Sequence, residues 1–350
     1  MMKVFLTGVD GYIGCVLAPM LLEQGIDVVA LDTGYYRDGW LYSDPARISK
    51  IPLTIVKDLR RISEEDLAGC DAVIHLAELS NDPLGENNPA ITHEINHQGS
   101  VALAKRAKAA GVRRFVYTSS CSVYGLGSGE FLDETSPVNP QTAYADCKVL
   151  VERDVASLAD DDFSPVFLRN ATAYGASPRM RFDIVINNLS GLAWTAGRIA
   201  MTSDGTPWRP VVHVEDICGA IICALKAPRQ TIHQQVFNVG STQANFRIHE
   251  IAAIVADVFP GCTLEIGPPG GDNRSYRVNC DKILDGLPGF SCQWTPERGA
   301  RQLLSVFETI AMSKDTFEFR AFTRLKQLTY LQKTGQLDDS FYWKSGASAS

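Results

Sequence analysis

The chain has 350 residues, 45% of them hydrophobic, and a formal net charge of -7. This composition supports a large core, and the length allows two domains of ordinary size. The acidic balance argues against binding of nucleic acid through a broad basic face, so we expect small anions to be held by local arginines.

The nine cysteines are scattered from Cys15 to Cys292 and contain no CxxC pair. Their spacing fits neither a zinc site nor a disulfide framework, so we expect no metal and reduced thiols. Apolar runs stay short of the roughly eighteen residues that a membrane helix needs, and the chain begins with a strand rather than with a basic and apolar leader. We therefore expect a cytoplasmic protein that neither spans a membrane nor is secreted through such a leader.

A glycine-rich loop joins the first predicted strand to the first predicted helix. Gly8 permits a tight turn, Gly11 lets the backbone approach a diphosphate, and Gly14 lets the helix pack close to the strand. The free N–H groups at the start of the helix attract an anion, which predicts a dinucleotide cradle; a surface loop with accidental glycines is the alternative. The cofactor-binding candidates in this loop are Gly8, Gly11, Tyr12, Ile13 and Gly14.

Asp32 ends the second apolar run, about twenty residues after the glycine-rich loop. An acid at this offset typically accepts a hydrogen bond from the adenosine ribose. A carboxylate there would repel a 2′-phosphate, so the sequence predicts NAD rather than NADP. Residues 33–50 are polar and irregular and are expected to form a binding loop. A third strand, 53–56, precedes Asp58 and Leu59; Asp58 could accept a hydrogen bond from the adenine amino group or cap a helix.

Two further buried strands are expected at 72–77 and 112–119, with a long helix over 89–110 between them. Strands that alternate with helices predict right-handed crossovers and a doubly wound parallel sheet, and therefore an α/β fold. His75 closes a strand of apolar residues and is interpreted as a structural histidine rather than a base.

The helical segment 141–158 presents Tyr144 and Lys148 on one face, because they lie four residues apart. Ser120 follows the fifth strand, where the cleft should be. A free tyrosine, with a pKa near 10, is a poor base, but Lys148 and an oxidised nicotinamide would both favour the phenolate. Ser120, Tyr144 and Lys148 are therefore the catalytic candidates for oxidation of a sugar hydroxyl; an ordinary exposed helical face is the alternative for the pair alone.

These features, taken together, resemble the extended short-chain dehydrogenase/reductases of the NAD-dependent nucleotide-sugar epimerase/dehydratase family, over nearly the whole chain. The residues that carry the resemblance are the loop from Thr7 to Gly14, Asp32, Asp58, Leu59, His75, Leu76, Ala77, Asn96, Ser119, Ser120, Val123, Tyr124, Gly125, Tyr144, Lys148, Arg209, His213, Val214 and Asp216.

The resemblance implies NAD as cofactor and places Leu76 and Ala77 in its site. It also implies that Lys148 hydrogen-bonds the nicotinamide ribose and that Asn96 is an architectural helix residue near the site. Leu59, Asn96, Tyr144 and Lys148 complete the cofactor-binding candidates. It further implies a Rossmann domain and a smaller, discontinuous α/β substrate lobe. The expected boundaries are 1–170 plus 206–240 for the NAD-binding domain, 171–205 plus 241–340 for the substrate domain, and 341–350 for a disordered tail. The segment 317–337 extends beyond the usual family ending and is interpreted as a packing helix.

Arginines are the expected ligands for the diphosphate of a nucleotide sugar, because their forked donors match phosphate oxygens. Arg209 stands in the family's Arg-Asp-x-x-His-Val signature, although Pro210 replaces the aspartate, and Arg274 lies in a later loop that commonly supplies a phosphate ligand. Arg179 and Arg181 suit a uronic acid, with pyrophosphate contact or solvation as alternatives. The substrate-binding candidates are Ser120, Asn170, Arg179, Asn187 (or Asn188, with a plain helix amide as the alternative), Arg209 and Arg274.

The resemblance implies epimerisation of a nucleotide-diphosphate sugar, at C4 through a 4-keto intermediate. Cys121 and Ser122 occupy the positions where 4,6-dehydratases of the family carry an Asp-Glu pair, and decarboxylating relatives keep an acid at the second position. Neither residue can serve as a carboxylic acid, so both of those reactions are disfavoured. A 4-ketoreductase is the runner-up, and a non-catalytic dinucleotide-binding protein is the rival from another class. Glu78 stands where the family usually has a small apolar residue and could reach the site.

A homodimer is also expected, since family members often pair through the helices that contain Asn96 and Tyr144. Small residues on the first of these helices suit close packing against a partner or against the sheet. They are Gly99, Ala102, Ala104, Ala107, Ala109 and Ala110.

Overall fold

A computed structural model describes residues 1–43, 52, 54–80, 82–127, 129–270 and 274–344. Parts of four sequence expectations lie outside these residues: the end of the 33–50 loop, Leu53 of the third strand, positions 271–273 before Arg274, and the tail from Ser345.

The strands of the described chain are short and spread over its whole length. In chain order they are β1 Lys3–Thr7, β2 Asp27–Asp32, β3 Thr54–Val56, β4 Ala72–His75, β5 Arg114–Ser120, β6 Phe131–Leu132, β7 Ser164–Asn170, β8 Thr172–Tyr174, β9 Arg198–Ala200, β10 Trp208–His213, β11 Gln235–Val239, β12 Asn245–Arg247, β13 Thr263–Glu265 and β14 Arg277–Val278.

Helices connect these strands and continue beyond the last of them. In chain order they are α1 Gly14–Glu23, α2 Asp82–Asn87, α3 Pro89–Thr92, α4 Ser100–Ala109, α5 Ala143–Ala156, α6 Val185–Ala196, α7 Val214–Lys226, α8 Arg229–Ile232, α9 Ile248–Val258, α10 Lys282–Gly286, α11 Pro296–Thr309, α12 Lys314–Glu318 and α13 Arg324–Lys333.

The main sheet has seven strands in the order β11-β7-β5-β4-β1-β2-β3. Every neighbouring pair is parallel, and Thr7 of β1 lies in register with Leu31 on one side and His75 on the other. Strands such as β1 and β4 are buried along nearly their whole length, as expected where helices cover both faces. The doubly wound α/β prediction is confirmed. The strand order reverses beside β1, which opens a crevice at the carboxyl ends of the strands.

Smaller sheets lie outside the main one. They have the orders β12-β10-β8, β13-β9 and β14-β6. Strand β10, within a segment that we assigned to the NAD-binding domain, pairs with β8 and β12 rather than joining the main sheet. The helix that follows it, α7, packs against α1 and against β5 and β7 of the main sheet. The domain boundaries themselves stay a prediction.

The long helix expected over 89–110 is present as α3, a π-helical turn over His93–Gly99, and α4. The helix expected over 141–158 is present as α5. In the segment 317–337, α13 buries Leu328 and Leu331, as a packing helix should.

No helix of the described residues is long and apolar enough to cross a membrane. Within the same residues, His, Cys, Asp and Glu side chains form no group of three or more that could hold a metal ion. All nine cysteines are free thiols.

Candidate active site

A cleft of about 410 Å³ opens at the carboxyl ends of the main-sheet strands. Most of the residues that the sequence proposed for a site line it together. They are Gly8, Gly11, Tyr12, Ile13, Gly14, Asp32, Asp58, Leu59, Leu76, Ala77, Ser120, Tyr144, Lys148, Asn170, Arg209 and Arg274. Asn96, Arg179 and Asn187 do not belong to the lining.

The glycine loop is packed so closely that side chains would not fit at two of its positions. Gly8 has a φ of +74°, and a Cβ there would lie 2.8 Å from the backbone nitrogen of Ala77. A Cβ on Gly14 would lie 2.1 Å from the carbonyl oxygen of Gly8. Helix α1 begins at Gly14 without a side-chain cap, directly after Tyr12 and Ile13, and all three residues line the cleft. The next N–H group, that of Cys15, donates to the Gly11 carbonyl at 3.1 Å. This is the cradle that a dinucleotide diphosphate fits.

Asp32 ends β2 beside this loop. Its carboxylate accepts hydrogen bonds from the backbone nitrogens of Gly34, at 2.8 Å, and Asp10, at 3.1 Å. Burial, together with the charge of Asp10, raises the pKa of Asp32 to about 6. A ribose hydroxyl that donated to this carboxylate would favour its ionised form.

Asp58 lines the cleft and also acts as a helix cap. Its Oδ1 accepts a hydrogen bond from the backbone nitrogen of Arg60 at 2.8 Å, at the start of the short helix Leu59–Arg61. The Arg60 guanidinium pairs with the same carboxylate at 2.8 Å. Both interpretations of Asp58 are therefore compatible with its position.

Two polar residues beside the cleft, the cofactor-binding candidate Asn96 and the structural candidate His75, are hydrogen-bonded to the protein itself. The Asn96 side chain accepts a hydrogen bond from the Leu79 backbone nitrogen at 2.8 Å and donates one to the Leu79 carbonyl at 3.0 Å, which holds the segment after β4 in place. His75 contacts the hydroxyls of Thr7 and Ser100, each at 2.7 Å. Burial lowers the pKa of His75 to about 3, so this ring is neutral and fits the structural interpretation.

Tyr144 and Lys148 lie on the first two turns of α5. The helix starts after Thr142, whose hydroxyl accepts from the Ala145 nitrogen at 3.2 Å. The Lys148 ammonium donates to the carbonyl of Thr118 at 2.5 Å and lies 5.4 Å from the centroid of the Tyr144 ring. Burial raises the pKa of Tyr144, while the charge of Lys148 and a hydrogen bond from Ser120 oppose that increase. The phenol, the ammonium and the Ser120 hydroxyl thus converge at one end of the cleft.

Glu78 is bonded directly to this group. Its Oε2 lies 2.5 Å from the Lys148 ammonium, and its Oε1 accepts a hydrogen bond from the Tyr117 hydroxyl at 2.6 Å. The side chains of Glu78 and Lys148 are only 3% and 5% exposed. The expectation that Glu78 could reach the site is therefore met, and its charge opposes that of the lysine beside Tyr144.

The two residues after Ser120 point in different directions. The Cys121 thiol is buried against the carbonyl of Arg169, at 3.1 Å, and burial raises its pKa. Ser122 lines the cleft. The Oγ of Ser122 and the Oδ1 of Asn170 are buried without a hydrogen-bond partner among the described residues, so both are open to a ligand.

Arg209 and Arg274 lie together in another part of the cleft. Arg209 donates to the carbonyl of Trp208 at 2.9 Å and to that of Arg274. The Arg274 guanidinium forms an ion pair with Asp82. The carboxylate of Asp82 also accepts a hydrogen bond from the Thr142 hydroxyl at 2.5 Å, which links Arg274 to the start of α5.

Arg179 does not reach the cleft. It donates to Asp10 at 2.6 Å and to the carbonyl of Gly39 at 2.8 Å, so its donors join the glycine loop to the loop after Asp32. Arg181 is the arginine of that segment that lines the cleft, and its Nε donates to Asp183 at 2.9 Å.

Asn187 is fully buried behind the cleft lining. Its side chain accepts a hydrogen bond from the Gly175 nitrogen at 2.9 Å and donates to the carbonyl of Arg181 at 3.1 Å. Asn188 donates to the carbonyl of Phe182 at 2.9 Å. Both side chains are thus bonded within the protein, as the alternative of a plain helix amide predicts.

Arg324, Tyr36 and Asp183 also line the cleft, and sequence reasoning did not select them. Arg324 had a usable signal, because it lies four residues before Leu328 on the apolar face of a predicted packing helix. A charged residue on such a face needs a buried partner or a ligand. Tyr36 and Asp183 lie in irregular segments, where no spacing indicates which side chains point inward.

Known proteins share this architecture. A family model described as the NAD dependent epimerase/dehydratase family matches residues 4–240. The UDP-glucose 4-epimerase of Lactobacillus helveticus is 29% identical over 300 residues, a match that covers 80% of this chain and 89% of that protein. A UDP-glucose 4-epimerase of Neisseria gonorrhoeae is 30% identical over 331 residues, covering 87% of this chain and 95% of that protein.

The solved structure of MoeE5 in complex with UDP-glucose and NAD is 25% identical to this chain, with a TM-score of 0.75, and the match covers 89% of this chain and 100% of MoeE5. MoeE5 has also been solved with UDP-glucuronic acid and NAD. The family model covers the greater part of the chain, and the glycine cradle and Asp32 fit the dinucleotide in the family's description. This chain belongs to the NAD dependent epimerase/dehydratase family.

Proposed function

We propose that the protein interconverts the C4 epimers of a nucleotide-diphosphate sugar through a 4-keto intermediate. The observation that carries the proposal is the convergence of Tyr144, Lys148 and Ser120 in the cleft, with no carboxylic acid at either of the two positions after Ser120. The names of the two relatives and the UDP-sugars bound to MoeE5 support the same reaction class.

NAD, when bound, supplies the acceptor and later the donor of a hydride. The backbone of the glycine loop at the start of α1 would hold its diphosphate, and Asp32 its adenosine ribose. Tyr144 would take the proton of the sugar hydroxyl and return it, so that no net redox change results. Lys148 would favour the phenolate and orient the nicotinamide ribose, and Ser120 would hold the reacting oxygen.

The nucleotide sugar would occupy the rest of the cleft. Arg209 and Arg274 are proposed for its diphosphate, since they lie together and present guanidinium groups to the cleft. The unsatisfied oxygens of Ser122 and Asn170 are proposed to bind sugar hydroxyls. For Arg181, which lines the cleft, contact with a pyrophosphate is preferred to the uronate role. Arg179 is withdrawn from the uronate role, because its donors are taken by Asp10 and backbone carbonyls.

Incubation with NAD and a panel of nucleotide sugars tests the reaction. We expect one sugar of the panel, which includes UDP-glucose and UDP-glucuronic acid, to equilibrate with its C4 epimer without net NADH formation, as read by NMR and mass spectrometry. NADP should not replace NAD, because Asp32 would repel its 2′-phosphate.

Other products would contradict this assignment in distinguishable ways. Stoichiometric consumption of NADH indicates the 4-ketoreductase. A stable 4-keto-6-deoxy sugar, or carbon dioxide released from a uronate, indicates that a carboxylate such as Glu78 supplies the missing acid. Binding of NAD without any turnover across the panel indicates the non-catalytic protein.

A homodimer that pairs through the outer faces of α4 and α5 is also proposed. Among the small residues of the first helix, Gly99, Ala104 and Ala107 are buried in the chain's own core, whereas Ala109 is exposed. We expect twice the chain mass by light scattering at micromolar concentration. A monomeric mass would contradict the dimer.

A cytoplasmic location is proposed on the nine free thiols.

A further inference from the structure

The C-terminal segment 319–344 packs against the loop that follows Asp32. This loop contributes Thr33, Tyr35 and Tyr36 to the cleft lining. The hydrogen bonds that join the two segments include those from Gln327 to the carbonyl of Tyr35 at 3.0 Å, from the Tyr35 hydroxyl to the carbonyl of Phe341 at 2.5 Å, and from the Trp343 indole to the carbonyl of Thr33 at 2.7 Å. The C-terminal segment therefore belongs to the wall of the cleft.

Arg324, the first residue of α13, enters the cleft from this wall although it is only 2% exposed. Its guanidinium donates to the carbonyls of Ala321, at 3.2 Å, and Arg179, at 3.3 Å. It lies 4.1 Å from the centroid of the Tyr36 ring. These partners are neutral, so they satisfy hydrogen bonds without balancing the charge.

A second buried cation stands beside it. Arg181 lines the same cleft, and its ion pair with Asp183 at 2.9 Å supplies one negative charge to two guanidinium groups. Burial, and next the repulsion by Arg181, lowers the pKa of Arg324 to about 10, which still leaves it charged at neutral pH. Two buried cations that share one carboxylate favour the arrival of a further anion.

The segments that carry the two arginines are bonded to the glycine loop before α1. Arg324 donates to the carbonyl of Arg179, whose guanidinium bonds Asp10 of that loop at 2.6 Å. The Asn187 amide donates both to the Arg181 carbonyl, at 3.1 Å, and to the Tyr12 hydroxyl, at 3.2 Å. The Nη1 of Arg181 donates to the carbonyl of Ser80 at 3.2 Å, in the cleft-lining segment after β4. The pair thus lies on segments bonded to the glycine loop, whereas Arg274 is paired with Asp82 and Arg209 donates to the Arg274 carbonyl.

We propose that Arg324 and Arg181 bind the diphosphate of the dinucleotide, opposite the N-terminal N–H groups of α1. Forked guanidinium donors match phosphate oxygens, and the diphosphate brings the negative charge that this cluster lacks. A cleft that holds both a dinucleotide and a nucleotide sugar must bind two diphosphates, and it carries two pairs of arginines. The inference rests on the NAD dependence of the family and not on the identity of the sugar.

Titration calorimetry with NAD and the full-length chain, stripped of bound dinucleotide, tests this assignment. Arg324→Gln should weaken NAD binding roughly tenfold to a hundredfold, because a charge-assisted hydrogen bond to phosphate is lost. Arg324→Lys keeps the charge and should recover most of the affinity. Lys326→Gln removes an exposed positive charge from the same helix and is the matched control, with NAD affinity unchanged. UDP affinity of the NAD-loaded protein should be the same in all four proteins.

Three results would overturn the proposal. NAD affinity of Arg324→Gln within about twofold of the wild type would mean that the residue does not bind the diphosphate. A loss of UDP affinity with NAD affinity retained would assign the cations to the nucleotide sugar. An equal loss of NAD affinity in the Gln and Lys variants, with a lowered melting temperature in both, would make Arg324 a structural residue only. Since no sugar turnover is measured, failure of the epimerase proposal leaves this test intact.

Discussion

Replacement of Tyr144 by Phe is expected to lower the turnover number by a factor of roughly 10² to 10⁴, the usual contribution of a positioned acid–base group. The phenol stands at the end of the cleft where Lys148 and Ser120 converge, and both of these neighbours favour its ionised form. Removal of one oxygen leaves the ring and its packing in place. The glycine loop and Asp32, which are proposed to hold the cofactor, lie on other elements and are unchanged.

The measurement combines initial rates of epimerisation with titration of NAD into the variant. NAD affinity should remain within a few-fold of the wild type, while the turnover number falls by the factor given above. Tyr124→Phe is the matched control, because its hydroxyl lies within hydrogen-bond distance of the carbonyl of Asp133, at 2.9 Å, and of the Oδ1 of Asn238, at 2.8 Å, outside the cleft lining. That variant should keep most of its turnover. Near-normal rates in Tyr144→Phe would mean that another group, with Glu78 the nearest carboxylate, takes the proton.

The main sheet was predictable because buried parallel strands are continuous apolar runs separated by helical segments. The glycine loop was predictable for a related reason: a tight turn and a close helix restrict its residues locally, as the short distances at Gly8 and Gly14 show. The pairing of β10 was not predictable in this way. A short strand after a polar segment carries no mark of which sheet it joins, and β10 pairs outside the main one.

The same distinction between local pattern and tertiary structure applies to the site residues. Tyr144 and Lys148 share one helix, so helical spacing alone places them together. Arg179 and Asp10 lie 169 positions apart, and no local pattern shows that this arginine is consumed in joining two loops. Arg324 lies on a C-terminal helix, and the helical spacing of apolar residues in that segment predicts packing alone. Long-range partners of charged residues are set by tertiary structure, and that is where the predictions were incomplete.

The second large effect is expected from Glu78→Gln. Glu78 and Lys148 form a buried ion pair at 2.5 Å, and loss of one partner of such a pair typically costs about 3 to 5 kcal/mol. Burial would lower the pKa of Lys148, but the charge of Glu78 reverses this and raises it. A group with a raised folded-state pKa contributes stability that is present below its unfolded pKa and is lost as pH rises through the folded one. The loss of stability in the variant should therefore be evident at neutral pH and should shrink under strongly alkaline conditions.

The same substitution should change the pH dependence of catalysis. The groups that act on the Tyr144 phenol include Lys148 and Ser120, which lower its pKa, and Glu78 and Asp82, which raise it. Removal of the Glu78 charge leaves the attraction of Lys148 less opposed, so the pKa of Tyr144 should fall and more phenolate should be present at a given pH. The acidic limb of the kcat/KM profile is expected to move to lower pH.

Chemical denaturation and pH–rate profiles of the wild type, Glu78→Gln and Glu86→Gln distinguish these effects. Glu86 is an exposed carboxylate near the start of α5, where it accepts a hydrogen bond from the Ala143 nitrogen at 2.7 Å. Its charge is screened by solvent, so Glu86→Gln should leave the acidic limb in place. An acidic limb that stays fixed or moves to higher pH in Glu78→Gln would show that Glu78 does not oppose Lys148 at the phenol. Complete loss of turnover in a folded Glu78→Gln variant that still binds NAD would instead make this carboxylate part of the chemistry.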